Sequence, residues 1–344
     1  MTTTITAAGP AAWFGSARLI DAALVRESTP WGPLVAALRN VFAHGVVVSP
    51  RHHHPLGESG TSPPVLLIMP AWRPGRHLGV KLVHVAADNA SRSLPGLHSL
   101  YVLSDAASGE SIAIIDGGEL TVRRTAAVSA LGASLLARTD ASRLLVVGTG
   151  RLAPHLAAAH ASVRPLRSIG IWGRDSAKAA RAVAVLKREH GLAATVETDL
   201  EAAVGRADVV SCATASTGPL IRGEWLAPGT HVDLVGGFTP TMRETDDAAM
   251  ARAELWIDTP VALAEAGDLI GPLQSGAIAP DAIRGDLSHL CAGTRRGRNS
   301  PAAITLFKSV GSAEADLGAA EFIIAALATI EPPTCSDSDG TRSR

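Results

Sequence analysis

The stretch Leu144-Leu145-Val146-Val147-Gly148-Thr149-Gly150-Arg151-Leu152-Ala153 decides the fold. An apolar run of strand length enters a G-x-G-x-x-A turn, and an alanine-rich helical segment follows it. Gly148 permits the tight turn, Gly150 lets the backbone approach a pyrophosphate, and Ala153 lets the helix pack closely against the strand. Free N–H groups at the start of the helix would bind that anion. The stretch therefore predicts a dinucleotide site formed by Gly148, Thr149, Gly150, Arg151 and Leu152.

The regions around this stretch differ in their pattern. From Arg143 to about Ile257 strands alternate with helices, which predicts an α/β protein with a Rossmann-type, doubly wound parallel sheet. Residues 45–117 contain strand-like runs without intervening helices, which indicates a second, antiparallel or mixed sheet. Residues 1–30 show no regular pattern. A strand at Ile304–Ser309 and an apolar helix over Ala313–Ile330 are expected near the end.

The composition excludes several classes of protein. The 344 residues carry a formal net charge of −1, so the excess of Lys and Arg that nucleic-acid binders use is absent. With 47% hydrophobic residues the chain is too apolar to be disordered, yet no apolar run approaches the roughly 20 residues that span a membrane. The first residues lack a secretory pattern, and Cys212, Cys291 and Cys335 form no CxxC pair. We therefore expect a cytoplasmic protein without disulfides or a zinc site of cysteines.

The second strand of the nucleotide domain indicates which cofactor binds. Ser168–Trp172 ends in Gly173-Arg174-Asp175, about 20 residues beyond the glycine-rich loop, where the ribose-reading residue is expected. An acid there would repel a 2′-phosphate, whereas Arg174 can pair with one. Asp175 is explained more simply as the N-cap of the next helix. The sequence predicts NADPH, with NADH as the alternative.

Two later turns are expected at the same edge of the sheet. Thr214 and Ser216 follow the strand Val209–Ser211, and Val235 and Gly236 end the next strand. Ligands bind at the carboxyl ends of parallel strands, so these four residues are predicted to contact the cofactor. Ordinary loop chemistry would explain the same residues equally well.

The chain resembles the ornithine cyclodeaminase/mu-crystallin family over roughly residues 30–330. Six segments carry the resemblance in the family's order, and they are Leu67–Trp72, Gly79–Val83, Leu120–Ala130, the glycine-rich loop, Pro228–Asp247 and Ser300–Gly311. The resemblance implies a homodimer of two-domain chains. Residues 121–310 would form the Rossmann domain, and residues 1–120 with 311–330 would form the substrate-binding and dimerisation domain. Residues 331–344 are expected to be a disordered tail, and Ser300 is predicted to contact the cofactor.

Family members hold a substrate carboxylate with a strand Lys and with an Arg at a helix start. These positions match Lys81 and Arg124, and an earlier strand Arg matches Arg51. Several cations around one carboxylate give charge-assisted anchoring. Lys81 lies in an apolar strand and therefore needs a partner or ligand, unless its ammonium reaches the surface. Arg123, the neighbour of Arg124, is expected to be an exposed helix residue.

The run Arg51-His52-His53-His54 suggests a role for one histidine. On a strand at most His52 and His54 share a face, and no Cys or acidic cluster lies close in sequence, so we predict no metal site here. His54, beside Arg51, is predicted to donate a proton near neutral pH. A surface or structural role for His54 and proton donation by water are the alternatives.

Phe238 separates the activities of the family. Its cyclodeaminases carry Asp directly after Gly-Gly, where this chain has Gly236-Gly237-Phe238, and they carry a Glu where this chain has Leu67-Ile68. The run Pro240–Asp247 resembles the imine-reducing branch instead. The resemblance implies NADPH-dependent reduction of small cyclic imino acids, namely Δ1-pyrroline-2-carboxylate to L-proline and Δ1-piperideine-2-carboxylate to L-pipecolate. An alanine-dehydrogenase-like or N-alkyl amino-acid dehydrogenase is the alternative, an ornithine cyclodeaminase ranks lower, and a non-catalytic binder ranks last.

Overall fold

The computed structural model describes residues 17–57, 64–86, 89, 92 and 94–330. Within these residues the chain forms two β-sheets with helices packed around and between them, and the predicted α/β class is confirmed. Cys212 and Cys291 are free thiols. The tail predicted to be disordered, residues 331–344, and Cys335 lie outside the described residues.

The first sheet lies in the N-terminal third of the chain. Its strands are β1 (Arg18–Ile20), β2 (Val47–Val48), β3 (His52–Pro55), β4 (Val65–Trp72), β5 (His77–Val85), β6 (Leu97–Asp105) and β7 (Ser111–Asp116). Their order is β1-β7-β6-β5-β4-β2, and β3 pairs with the other half of β4. Since β1 runs parallel to β7 and the remaining pairs are antiparallel, the sheet is mixed, as predicted.

The second sheet contains eight strands, all parallel. They are β8 (Arg143–Val147), β9 (Ser168–Trp172), β10 (Thr195–Glu197), β11 (Val209–Cys212), β12 (His231–Leu234), β13 (Glu254–Ile257), β14 (Ile283–Asp286) and β15 (Thr305–Lys308). Their order is β10-β9-β8-β11-β12-β15-β13-β14, which confirms the doubly wound topology. The chain reverses direction across the sheet between β8 and β11, and such a switch point leaves a crevice where ligands bind.

The helices of the described residues pack on and between these sheets. They are α1 (Ala22–Ser28), α2 (Trp31–His44), α3 (Gly117–Leu136), α4 (Leu152–Ala161), α5 (Ser176–His190), α6 (Leu200–Arg206), α7 (Asp247–Arg252), α8 (Ala262–Glu265), α9 (Gly267–Ser275), α10 (Leu287–Cys291) and α11 (Ala313–Ile330). The presence of β1 and α1 corrects the prediction that residues 1–30 are irregular: Asp21 caps α1 by accepting two backbone N–H bonds. None of the described helices is long and apolar enough to cross a membrane.

Two long helices connect the sheets. α3 is buried along most of its length and packs against β6 on one side and β12 and β15 on the other. α11 packs on β4, β5, α2 and α3, so the end of the chain returns to the first sheet. It buries Leu317 and Ile323 completely, and each such side chain contributes about 1.5–3 kcal/mol of stability. The domain limits predicted from the sequence stay a proposal. The packing of α11 on β4 and β5 supports a first domain made of two separate parts of the chain.

Candidate functional site

The glycine-rich loop connects β8 to α4, as predicted. Gly148 has φ +127°, and a Cβ there would lie 2.4 Å from the Ala213 carbonyl oxygen. A Cβ on Gly150 would meet nothing within 4 Å, so open space borders this residue. α4 begins at Leu152, and the N–H groups of a first helical turn are free to bind an anion. The loop therefore fits the pyrophosphate of a dinucleotide.

The end of β9 lies beside this loop. A Cβ on Gly173 would come within 2.4 Å of Thr149 Cγ2, which shows how closely the two turns approach. Arg174 follows with an exposed side chain. Asp175 is the N-cap of α5, as predicted, and its carboxylate accepts two N–H bonds of 2.9 and 3.1 Å from the first turn. The bond from the Lys178 N–H lowers the pKa of Asp175. Since Asp175 is engaged by the helix, Arg174 is the residue of this turn that can meet a phosphate.

A cavity of about 470 Å³ lies between the two sheets, next to the glycine-rich loop. The first sheet and its flanking segments contribute the three predicted cations, Arg51, Lys81 and Arg124. The predicted cofactor residues that line the same cavity are Gly150, Leu152, Thr214, Val235 and Gly236, and Phe238 lines it with them. One space thus brings the predicted substrate side and the predicted cofactor side together.

Lys81 and Arg124 share a carboxylate that the sequence analysis missed. Lys81 Nζ lies 3.0 Å from Asp316 Oδ1, and Arg124 Nε lies 2.8 Å from the same oxygen. Only 2% of Lys81 is exposed, which excludes the surface position that the sequence left open. Asp316 is one of two acids in the first turn of the largely apolar helix α11, and an acid in such a helix was the available signal.

The charges of this cluster shift one another. Burial lowers the pKa of Lys81 to about 8; the attraction of Asp316 opposes this shift, and the charges of Arg124 and Arg51 add to it. Burial acts to raise the pKa of Asp316, but the charges of Arg124 and Lys81 outweigh it and lower that pKa. At neutral pH two cations therefore share one anion, and the remaining positive charge favours an anionic ligand.

Arg51 completes the cationic side of the cavity. Its Nη1 donates to Glu265 Oε2 at 2.8 Å, and its Nη2 donates to the Gly311 carbonyl at 3.0 Å. Gly311 has φ +80°, and a Cβ there would lie 2.6 Å from Arg124 Nη1. Gly311 therefore contacts both arginines, and a side chain at this position would displace Arg124.

The structure does not bring His54 to this cluster. All four residues of β3 are exposed, and the rings of His52 and His54 stack 6.3 Å apart on one face, away from the residues that line the cavity. A proton-donating role for His54 stays a prediction without a supporting contact. Lys81 lies inside the cavity, and its pKa is lowered to about 8.

A second missed carboxylate, Glu244, fixes the turns on the cofactor side. Its Oε1 accepts bonds from the Thr214 N–H and hydroxyl at 2.7 and 2.9 Å. Its Oε2 accepts bonds from the N–H groups of Gly236 and Gly237 at 2.8 and 3.3 Å. These donors are therefore already engaged, and the turns offer a cofactor their remaining atoms. Burial raises the pKa of Glu244, against the attraction of Lys308.

A buried ion pair lies beneath these turns. Lys308 Nζ is 3.3 Å from Asp268 Oδ2, and neither side chain is exposed. Asp268 Oδ1 accepts bonds from the N–H groups of Glu244 and Thr245 at 2.8 and 3.1 Å. Lys308, like Lys81, is one of four lysines in the chain and stands in an apolar strand. A lysine in such a strand needs a partner, so a partner could have been expected for Lys308 too.

Three further expectations differ from the structure. Ser300 precedes β15 and so lies at the amino edge of the parallel sheet, opposite the glycine-rich loop, which corrects its prediction as a cofactor contact. Ser216 lies in the expected turn, but its hydroxyl donates to the Gly218 carbonyl and it does not line the cavity. Arg123 is 4% exposed, not a surface residue, and its guanidinium lies 3.5 Å from the centre of the Trp31 ring.

Known proteins resemble this chain over most of its length. The model of the ornithine cyclodeaminase/mu-crystallin family matches residues 26–329. Δ1-Pyrroline-2-carboxylate reductase of Paracoccus denitrificans is 42% identical over 261 residues, covering 75% of this chain and 82% of that protein. The protein of the same name from Colwellia psychrerythraea is 34% identical over 316 residues, covering 90% and 99%. The solved Thermococcus litoralis Δ1-pyrroline-2-carboxylate reductase, in complex with NADH and L-proline, has a TM-score of 0.84 at 24% identity, covers 91% of this chain and 98% of that one, and shares the fold.

Proposed function

The chain belongs to the ornithine cyclodeaminase/mu-crystallin family, and from this membership we propose that it is an NADPH-dependent reductase of cyclic imino acids. The proposed reactions convert Δ1-pyrroline-2-carboxylate to L-proline and Δ1-piperideine-2-carboxylate to L-pipecolate. Relatives named as reductases of the first compound, at 42% and 34% identity, support imine reduction. The observation that carries the proposal is the single cavity in which the glycine-rich loop meets Arg51, Lys81 and Arg124.

The cationic side of the cavity would hold the substrate carboxylate. Asp316 accepts one bond from Lys81 and one from Arg124, which leaves the other N–H groups of both side chains for a ligand. Arg51 reaches the same cavity from the opposite side of Gly311. Charge-assisted bonds from these groups would anchor and orient a small carboxylate, and orientation supplies much of the acceleration in such a reaction.

Reduction of an imine needs a hydride at carbon and a proton at nitrogen. When bound, the reduced nicotinamide supplies the hydride. Lys81, with its pKa lowered to about 8, is mostly protonated at neutral pH and is acidic enough to release that proton, so we assign it the delivery to the imine nitrogen. Leu67 and Val83 line the cavity beside Lys81, and their apolar side chains would help to exclude water from the reacting atoms.

Phe238 favours reduction over cyclodeamination. Its side chain lines the cavity at the position where the resemblance places the cyclodeaminases' Asp. A phenyl ring can neither accept a proton nor form the ion pair that a carboxylate makes with a substrate amine. An imine that enters this cavity would therefore be reduced without prior deamination.

The choice of NADPH rests on Arg174. Its side chain is exposed beside the glycine-rich loop, and the neighbouring acid Asp175 is held by the start of α5. A guanidinium can pair with a 2′-phosphate, which NADH lacks. Arg174→Ala should raise KM for NADPH much more than KM for NADH, measured by initial rates at saturating imino acid. Equal effects on both cofactors would reject this role.

The experiment that tests the proposed function is a rate measurement with purified protein. Either cyclic imino acid should be consumed together with NADPH, followed by the loss of the absorbance of the reduced cofactor, with L-proline or L-pipecolate identified as product. Lys187→Ala, a change on the exposed face of α5, serves as the control variant. Turnover of neither imino acid with either cofactor, while pyruvate plus ammonia reacts, would favour the alanine-dehydrogenase alternative.

We also propose a homodimer through the face of the first sheet that the described residues leave uncovered. Alternate residues of β5 and β6 point away from α11. The middle of this outer face is apolar, formed by Val80, Leu82, Leu100 and Val102, and polar residues such as His84 and His98 border it. Leu100 is 41% exposed, and an extended apolar sheet surface is typical of an interaction site. Light scattering should give twice the chain mass for the wild type and the single chain mass for Leu100→Glu; a wild-type monomer would reject the proposal.

A further inference from the structure

Three side chains outside the catalytic cavity converge between α4 and α5. They are His155 on α4, and Glu189 and His190 at the end of α5. His155 Nδ1 lies 3.1 Å from His190 Nε2, and all three ligand atoms lie within 4.8 Å of one another. We propose that these side chains bind Zn²⁺ through two imidazoles and one carboxylate.

The distances suit this ion. Zn–N bonds of about 2.0–2.1 Å in a tetrahedral site place two nitrogen ligands about 3.3 Å apart, close to the observed separation of His155 Nδ1 and His190 Nε2. Glu189 has a side chain that is 36% exposed, and its carboxylate is paired with the exposed Arg188 at 2.9 Å. Surface pairs of this kind contribute little, so the carboxylate can turn toward the two rings at low cost.

The two imidazoles are in the form that binds metals. Burial, together with the charges of His190 and Arg123, lowers the pKa of His155 to about 4. Burial also lowers the pKa of His190. Both rings are therefore neutral at physiological pH. One of the two facing nitrogens donates the hydrogen bond between the rings, so metal binding requires that ring to move its proton to its other nitrogen, and no net proton has to be released.

The surroundings define what kind of site this is. The cluster opens into a groove of about 900 Å³, so a fourth ligand such as water has access, as in zinc sites with three protein ligands. The groove is also lined by positive side chains, which are Arg26, Arg123, Arg151, Lys178 and Arg181. Glu119 lines the same groove and is paired with Arg26 and Arg151. The charges of the other three cations oppose a bound metal ion, and Glu189 offsets them only in part. We therefore expect an exchangeable site and not a permanently filled one.

Metal binding here would join two elements of the nucleotide domain. His155 lies one turn after the glycine-rich loop, and His190 is the last residue of α5. A ligand that binds only the folded state stabilises it. Zn²⁺ should therefore raise the Tm of the wild-type protein by bridging α4 and α5.

The test is a titration of chelator-treated, dialysed protein with Zn²⁺ in a calorimeter. The wild type should bind one Zn²⁺ per chain, His190→Gln should abolish the binding, and Glu189→Gln should weaken it. The matched control is the double variant His52→Ala/His54→Ala, which removes the other pair of neighbouring histidines and should still bind one Zn²⁺ per chain. His190 and Glu189 are not fully buried, so these variants are expected to fold; circular dichroism checks this.

Cobalt provides a second measurement on the same proteins. Co²⁺ in a tetrahedral site gives strong visible absorption, which the wild type should show and His190→Gln should lack. Two results would overturn the proposal. One is the absence of Zn²⁺ binding and of any Tm shift in the wild type at submillimolar metal; the other is loss of the bound Zn²⁺ in the His52→Ala/His54→Ala variant with retention in His190→Gln.

Discussion

Two buried Lys–Asp ion pairs lie on either side of the cavity, and they have different roles. On the first sheet, Lys81 and Asp316 are 3.0 Å apart; on the second, Lys308 and Asp268 are 3.3 Å apart. Asp316 is shared with Arg124, so the first pair is in a cluster with excess positive charge facing the cavity. Lys308 does not line the cavity, and its neighbours use their oxygens on backbone N–H groups. The first pair is arranged to bind an anion, and the second stabilises the turns on the cofactor side of the cavity.

The cost of burial makes this difference testable. Removing one member of a buried ion pair costs about 3–5 kcal/mol, because the other member is left without compensation. Both pairs should therefore matter for stability. Only a change in the first pair should alter substrate binding in the protein that remains folded.

The largest expected effect is on the first pair. Lys81→Ala and Arg124→Ala should each lower kcat/KM for the imino acid by about a hundred- to a thousandfold, since each removes a charged donor from the position of the carboxylate. Initial rates at saturating NADPH measure this loss. Direct cofactor binding, followed by fluorescence, should change little in both variants and serves as the control.

A mild loss in both variants would contradict the assignment. In that case the carboxylate would be held elsewhere in the cavity, and Arg51 would be the next residue to change. Lys81→Arg, which retains a charge, should recover part of the activity if charge at this position is what counts.

The second pair should act on stability instead. Lys308→Met removes the charge while keeping an apolar side chain of similar length, and it leaves Asp268 buried and unpaired. The free energy of unfolding should fall by about 3–5 kcal/mol in urea titrations. KM for the imino acid, measured on the folded protein, should stay near the wild-type value. A loss of kcat/KM as large as in Lys81→Ala would erase the distinction between the two regions.

Glu244, which lies above the second pair and binds the two turns, should have a smaller effect, and this effect should be on cofactor binding. Glu244→Gln replaces one acceptor oxygen by an NH₂ group, which cannot accept the bonds that now hold Thr214 or Gly236. The two turns should shift, and KM for NADPH should rise about tenfold, with a smaller change in KM for the imino acid. Steady-state kinetics with each substrate varied in turn separate the two constants. Equal changes in both would indicate a general loss of structure, which a thermal melt would detect.

The two regions also show what a sequence can and cannot provide. Alternating strands and helices and the G-x-G-x-x-A turn are local patterns, so the parallel sheet and the loop at Gly148 were predictable. Lys81 and Arg124 were identified by resemblance. Their partner Asp316 was not, because only the return of α11 to the first sheet brings it there, 235 residues from Lys81.

The errors have the same origin. Ser300 begins one of the segments that resemble the family, and the sequence therefore predicts that it contacts the cofactor. The direction of β15 instead places Ser300 at the amino edge of the sheet, opposite the glycine-rich loop. Arg123 was expected in solvent, yet α2 covers it and Trp31 stacks on its guanidinium. In each case contacts between distant parts of the chain determine where the residue lies, and a local sequence pattern does not predict such contacts.

The smallest expected effect is a dependence on pH that originates in the first region. The pKa of Lys81 is lowered from 10.5 to about 8, so its ammonium is present below about pH 8 and is lost as the pH rises through that value. If this ammonium binds the carboxylate or gives up the proton, kcat/KM should be level below about pH 8. Above that value it should fall by about tenfold per pH unit. Rates at saturating NADPH across this range measure the profile.

Lys81→Arg identifies the group responsible for this fall. Arg stays charged throughout the range, so the variant should be less active but should lose the decline that begins at about pH 8. A bound carboxylate adds a negative charge beside Lys81 and raises its pKa, so the fall in kcat should begin at a higher pH than the fall in kcat/KM. An unchanged profile in Lys81→Arg would assign the titration to the substrate imine or to another residue. The region around Lys81 would then bind the substrate without supplying the proton.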